Sequence, residues 1–178
     1  MSRLRIISGS ARGRKLSMVP GNISRPISDR VKESLFNIIG EDIPGSVFLD
    51  LFGGTGSVGI EALSRGASFV RFVDSNKFAI TTISNNLKHT GLEGKAEVLQ
   101  LDAFDLLARS PDKIFDFVFI APPQYKGLWK NAIVSLDKVP EWVTEDGWVI
   151  VQIDPKEYKI CLCKISQNLM VENMGTPC

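Results

Sequence analysis

The sequence predicts an α/β protein with a doubly wound, mostly parallel sheet and an N-terminal β-hairpin extension. Three observations carry that expectation. From Ser46 onward, apolar runs of strand length alternate with helical stretches, a rhythm that implies parallel strands joined by helical crossovers. The runs are continuously hydrophobic rather than alternating, as in strands covered on both faces. Ahead of them, Arg5–Gly9 and Arg14–Val19 flank the turn-prone Ser10-Ala11-Arg12-Gly13 and read as two short paired strands.

The elements follow in order. Pro20-Gly21-Asn22 breaks the hairpin, and Ser24-Arg25-Pro26 is extended because the residue before proline avoids the helical region. Ser28 is the expected N-cap of a helix reaching about Ile39, with Val31, Leu35, Ile38 and Ile39 as its apolar stripe and Gly40 as its stop. Strands are expected at Val47–Phe52, Phe69–Asp74, Ala96–Leu101, Phe115–Ala121 and Trp148–Ile153, and helices near 57–65, 76–90, 103–109 and 126–138. Tyr158–Ser166 and Asn168–Glu172 are compatible with a final pair of strands or with a helix and a strand. There is no internal repeat. The expectation is one domain over 1–178, a basic hairpin arm over 1–24 and a body over 25–178.

Composition excludes several classes. No apolar run reaches the roughly 18 residues of a membrane helix, and Met1 to Arg5 lead into strand-like sequence without a signal-peptide core. A cytoplasmic protein is expected, with a mature organellar form also compatible. Cys161, Cys163 and Cys178 are odd in number and clustered at one end, so reduced thiols are expected rather than a disulfide framework. Zinc needs about four ligands, and His89 is the single histidine, so no metal site is expected. The net charge is only +1, but residues 1–36 hold eight cations against Asp29 and Glu33. That asymmetry suggests a basic arm on a neutral-to-acidic body; charge alone leaves a solvated surface hairpin as the alternative.

The turn after the first buried strand reads Asp50-Leu51-Phe52-Gly53-Gly54-Thr55-Gly56-Ser57-Val58-Gly59. Clustered glycines let backbone curl tightly against a ligand, and the helix beginning near Ser57 aims its amides at the same place. Gly54 to Gly59 match the dinucleotide fingerprint, with Asp74 placed where an acid binds ribose, so a nicotinamide oxidoreductase is a real competitor. Asp50 argues against it, because a carboxylate just before the glycines suits a cationic amino group better than a pyrophosphate. S-adenosylmethionine has that amino group and no phosphate. Asp102, at the end of the third strand, fits the adenine amine with Ala103 beside the ring; taken alone it reads better as a helix N-cap, and the cofactor reading wins only with Asp50 and Asp74 at the two preceding strand ends.

The fourth strand ends in Ile120-Ala121-Pro122-Pro123-Gln124-Tyr125. The two prolines rigidify the backbone and offer no N–H, leaving carbonyls free to accept from a substrate amine beside an aromatic that can stack on a base. Asp50–Gly59 with Glu61-Ala62-Leu63-Ser64-Arg65-Gly66-Ala67, and Arg25-Pro26-Ile27-Ser28-Asp29-Arg30-Val31-Lys32-Glu33-Ser34-Leu35-Phe36-Asn37, resemble the RsmD family of 16S rRNA guanine-N2 methyltransferases. The resemblance covers residues 5 to about 155.

The resemblance implies a Rossmann-like class I methyltransferase fold, S-adenosylmethionine as cofactor, and ribosomal RNA or an assembling small subunit as partner, for a monomer. It implies that Asp50, Phe52, Gly53, Gly54, Thr55 and Gly56 bind the methionine end of the cofactor. Asp74 with Ser75 would bind the ribose, and Asp102 with Ala103 the adenine. Ala121, Pro122, Pro123, Gln124 and Tyr125 would hold the target base, and Arg12, Arg14, Lys15 and Arg25 the RNA. Two departures stand out. The family pattern is Asp/Asn-Pro-Pro-Tyr/Phe, whereas this chain has Ala121 first and Gln124 ahead of Tyr125. Loss of a positioned acceptor is worth on the order of 10²–10³ in rate; the Ala121 and Pro122 carbonyls and Gln124 are the substitutes, and a catalytically silent RNA-binding relative or a methyltransferase for another substrate are the alternatives. Met174-Gly175-Thr176 resembles the family's Tyr-Gly-x-Thr element, but the strand expected after it is missing, as in a chain cut short.

Overall fold

A computed structural model describes residues 4–21, 27–154 and, by backbone, 169–173. Arg25, the three cysteines, Tyr158–Ser166 and Met174-Gly175-Thr176 lie outside the described residues. Among the described residues six strands form one sheet: β1 (Val47–Asp50), β2 (Phe69–Asp74), β3 (Ala96–Gln100), β4 (Phe115–Ile120), β5 (Val143–Ile153) and β6 (Leu169–Asn173). Their order is β3-β2-β1-β4-β5-β6, and every pairing is parallel. Among the described residues, α1 (Asp29–Ile39) leads into β1, and four α-helices connect the strands: α2 (Ser57–Ser64), α3 (Lys77–Thr90), α4 (Ala103–Leu107) and α5 (Leu128–Lys138).

Successive strand residues face opposite sides, and both sides are apolar because both are covered. Phe48, Phe72, Phe117 and Phe119 pack toward the arm, α1, α2 and α3. Leu49, Val73, Val118 and Val149 pack toward α4, α5 and Trp142. Arg71 breaks the apolar run of β2. Only 3% exposed, it is held by Glu97 at 2.5 Å and by both oxygens of Asp112 at 2.7 Å, a fork geometry that guanidinium satisfies. Asp112 is kept at a pKa of about 2 chiefly by its hydrogen bonds to Arg71.

Several boundaries differ from the sequence expectation. The arm is a hairpin, but its paired strands shrink to one antiparallel bridge, Arg5 with Lys15, flanked by Ile6 N–H to Arg14 O and Leu16 N–H to Leu4 O. The backbone of Ile7 and Ser8 instead donates to the Glu61 carboxylate of α2, so it is not available for a longer ladder. β5 starts at Val143 rather than Trp148, because the polar Thr144–Asp146 stretch bulges out between the pairs Phe115–Val143 and Phe117–Trp148. α5 starts at Leu128: Gly127 is left-handed at φ 64° and ends the preceding turn. α4 stops at Leu107 ahead of Pro111. Ser28 accepts from the Val31 amide and Gly40 closes α1, as expected.

Candidate active site

The strand order reverses between β1 and β4, where a doubly wound sheet opens a crevice beyond its carboxyl ends. The β1 turn enters it through tight backbone. Gly56 sits at φ 75° and caps α2, while a Cβ on Gly59 would come within 2.3 Å of the Phe72 ring, so Gly59 serves helix–sheet packing rather than a ligand. The result is a cleft of about 630 Å³. Phe52, Gly54, Asp74, Ser75, Asp102, Ala103, Ala121, Pro122, Pro123 and Gln124 all line it. Asp50, Gly53 and Thr55 line an adjoining smaller recess that shares Phe52, Gly54 and Ala121 with the cleft. The structure thus gathers most of the residues singled out from sequence.

Their electrostatics differ. Asp50 is 2% exposed and accepts one hydrogen bond, from the Gly59 amide at 3.3 Å. Burial, with the nearby negative charge of Asp74 adding to it, pushes its carboxyl up to about 8. A cation placed beside it would restore its charge. Asp74 accepts from the Gly54 amide at 2.9 Å through one oxygen and from Asn76 at 2.8 Å through the other; it staples the glycine turn as well as facing the cleft. Asp102 caps α4 through one oxygen, accepting from Phe104 at 2.8 Å and Asp105 at 3.4 Å, and still lies on the cleft wall. Asp74 and Asp102 on the cleft wall, with Lys126 the cation on the described wall, disfavour a pyrophosphate, and Asp50 stands in the adjoining recess. They suit a ligand carrying an ammonium group, hydroxyls and a heterocyclic amine.

Tyr125 does not line the cleft. It sits at φ 63°, a strained conformation for a non-glycine residue, is 65% exposed, and donates its hydroxyl to Asp154 at 2.9 Å. Gln124 occupies the wall in its place. The expected basic arm is no free appendage. Glu61, fully buried, accepts from Ile7 and Ser8 and from Arg65 Nε at 2.9 Å, and pairs with buried Lys32 at 3.3 Å. Lys32 donates to the Arg5 carbonyl at 2.6 Å, and burial lowers its pKa. Ser64 donates to Ser8 O and accepts from Ala11 N–H. Gly9 is required here, since a Cβ would sit 1.8 Å from the Ser64 carbonyl oxygen. Arg12 and Lys15 are exposed, whereas Arg14 donates to the His89 carbonyl.

Sequence reasoning missed Gln152, Asn76, Phe104 and Lys126 on the cleft wall. Gln152 alone left a signal, as the one polar residue in the Val149–Ile153 run. Glu61 in α2 and Asn86 in α3, both buried polar residues, hold the arm's dock.

The family model described as conserved hypothetical protein 95 matches residues 4–175. The Bacillus subtilis protein YlbH is 42% identical over 153 residues, covering 85% of this chain and 83% of that protein. Ribosomal RNA small subunit methyltransferase D of Haemophilus influenzae is 37% identical, covering 85% and 79%. The crystal structure of HI0767 from Haemophilus influenzae superposes with a TM-score of 0.75 at 34% identity, covering 89% of this chain and 85% of that one. The chain belongs to the conserved hypothetical protein 95 family, the RsmD family.

Proposed function

We propose that this protein transfers a methyl group from S-adenosylmethionine to the exocyclic N2 amine of a guanine in small-subunit ribosomal RNA. The observation that carries the reading is Asp50, a nearly uncompensated buried carboxyl at the strand-order reversal, in a recess it shares with Ala121 and next to the cleft lined by Pro122 and Gln124. The name of the Haemophilus influenzae relative supports the RNA substrate. Bound S-adenosylmethionine supplies a methyl group activated by its sulfonium.

The chain's own residues do the rest. Asp50 and the turn from Phe52 to Gly56 hold the ammonium end; Asp74 and Ser75 take the ribose; Asp102 and Ala103 take the adenine. The carbonyls of Ala121 and Pro122 and the Gln124 side chain accept the N–H bonds of the target amine, keeping its nitrogen lone pair directed at the methyl group. Pro123 keeps that backbone rigid. Tyr125 would have to leave Asp154 to stack on the base. Arg12, Arg14, Lys15 and Arg25 grip phosphates, which orient the RNA without reading it. The place of action is then the cytoplasm, and among the described residues no helix is long and apolar enough to cross a membrane.

One observation favours a second reading. Ala121 lacks a polar side chain, and the Tyr125 hydroxyl is engaged by Asp154, as in a relative that binds cofactor and RNA without turnover. Transfer of a labelled methyl group to small subunits lacking the modification, followed by nucleoside mass spectrometry, separates the two. Label in N2-methylguanosine is expected. Cofactor binding with no transfer would establish the silent relative, and label in another nucleoside would move the target.

A further inference from the structure

Helix α3 carries no carboxylate along its 14 residues and turns Lys77, Phe78, Thr81, Asn85, Lys88 and His89 to solvent. The return segment of the arm runs beside it in the opposite sense. Arg14 reaches the His89 carbonyl, near the end of α3. Ser17 exchanges hydrogen bonds with Asn86 at 2.8 and 3.1 Å. Val19 and Ala79 both line the cleft. Residues 12–19 contain no carboxylate either. Together they make a ribbon about 21 Å long, the length of the helix, bearing Arg12, Arg14, Lys15, Lys77 and Lys88. Glu93, the next acid along the chain, lies beyond the Gly91 cap and is followed by Lys95.

The ribbon has a chemically distinct end. Phe78 is 59% exposed and Met18 47%, and each neighbours residues that line the cleft: Asn76 and Ala79 beside Phe78, Val19 beside Met18. A large aromatic more than half exposed on a helix beside the cleft offers a stacking platform. The platform is also fixed in place. Asn86, 1% exposed, bonds Ser17 and the Thr55 carbonyl at once, tying the arm, α3 and the glycine turn together, so little is left to order on binding.

We infer that this ribbon is the track for a single-stranded stretch of the RNA substrate next to the target nucleotide. Phosphates lie along Arg12, Arg14, Lys15, Lys88 and Lys77, and one unpaired base stacks on Phe78 at the cleft mouth. Duplex RNA offers such an aromatic no free base face, whereas single strands do. The inference rests on the RNA-methylation reading and adds to it which surface, strand state and stacking residue are used.

The test uses the full chain and a fluorescent single-stranded RNA oligonucleotide, titrated across salt, alongside methyl transfer to small subunits. Lys77→Gln with Lys88→Gln should flatten the slope of log affinity against log salt by about 1.4, or roughly 0.7 per lost contact. Phe78→Ala should weaken binding about tenfold with the slope unchanged, and leave duplex binding as it was. Lys113→Gln, whose cation lies over the Phe69 ring, should change neither. If the native chain binds RNA and transfers methyl groups but all these variants match it, the track is wrong and the methylation reading survives. A slope that responds while Phe78→Ala is silent overturns the stacked base. A native chain that neither binds RNA nor transfers overturns both readings.

Discussion

Glu61 and Asp50 are both buried carboxyls of the same strand–turn–helix unit, yet their surroundings are opposite. Glu61 accepts from two arm amides and from Arg65, and faces Lys32; a buried charge with this much company is structural. Asp50 has, among the described residues, one long bond from Gly59, and burial pushes its pKa to about 8. Under-satisfied buried charge beside a cleft is the mark of a ligand site. Burial alone therefore does not tell a fastening from a site; the number of partners does.

The largest expected effect breaks the fastening. Glu61→Ala leaves Lys32 buried without its anion and the Ile7 and Ser8 amides without an acceptor, and should cost about 3–5 kcal/mol in urea unfolding. Asp50→Asn should behave in the contrary way. It should lose about ten- to a hundredfold in S-adenosylmethionine affinity, the worth of a charged hydrogen bond, without lowering stability at neutral pH. The sign follows from linkage. The folded pKa of about 8 lies above the ordinary carboxyl value of about 3.9, so between the two the native state holds a proton the unfolded state has released. Stability of the cofactor-free protein should fall as pH rises through that window and level off above it, and Asp50→Asn should remove that contribution.

Asp74 stands between the two extremes, since its oxygens accept from Gly54 and Asn76 while facing the cleft. Asp74→Ala should weaken cofactor binding by about ten- to a hundredfold in calorimetry and also loosen the turn, visible as faster amide exchange at Gly54. The smallest effect belongs to Tyr125→Phe, which removes an exposed hydroxyl bond to Asp154 and should change stability by less than about 1 kcal/mol. Gln124→Ala, on the cleft wall, should lower turnover more than Tyr125→Phe does.

The doubly wound sheet was legible because buried parallel strands are uninterrupted apolar runs, and the glycine turn because Gly56 takes a left-handed backbone and Gly59, in α2, packs against the Phe72 ring. The Asp50, Asp74 and Asp102 positions were legible as strand ends. What the sequence hid were contacts made at long range. Glu61 meets Ile7, and Asn86 meets Ser17, across more than fifty residues, so a segment read by charge as an arm is in fact fastened to α2 and α3. Tyr125 follows the two prolines in the sequence, but the extra residue Gln124 lines the wall ahead of it, and the left-handed backbone and the hydroxyl bond to Asp154 left no sequence signal. The bulge in β5 hid behind a polar Thr144–Gly147 stretch that reads as a turn.

The measurement that bears most directly on Asp50 is proton release when S-adenosylmethionine binds. At about pH 6.5 the Asp50 carboxyl of the free protein is protonated, and the ligand's ammonium, with an ordinary pKa near 7.7–8.0, is charged. Titration calorimetry in two buffers of different ionisation enthalpy should then report about one proton released per cofactor bound by the native chain, and none by Asp50→Asn. Tight binding without proton release, or release that persists in the variant, would contradict the assignment of this buried carboxyl to the cofactor.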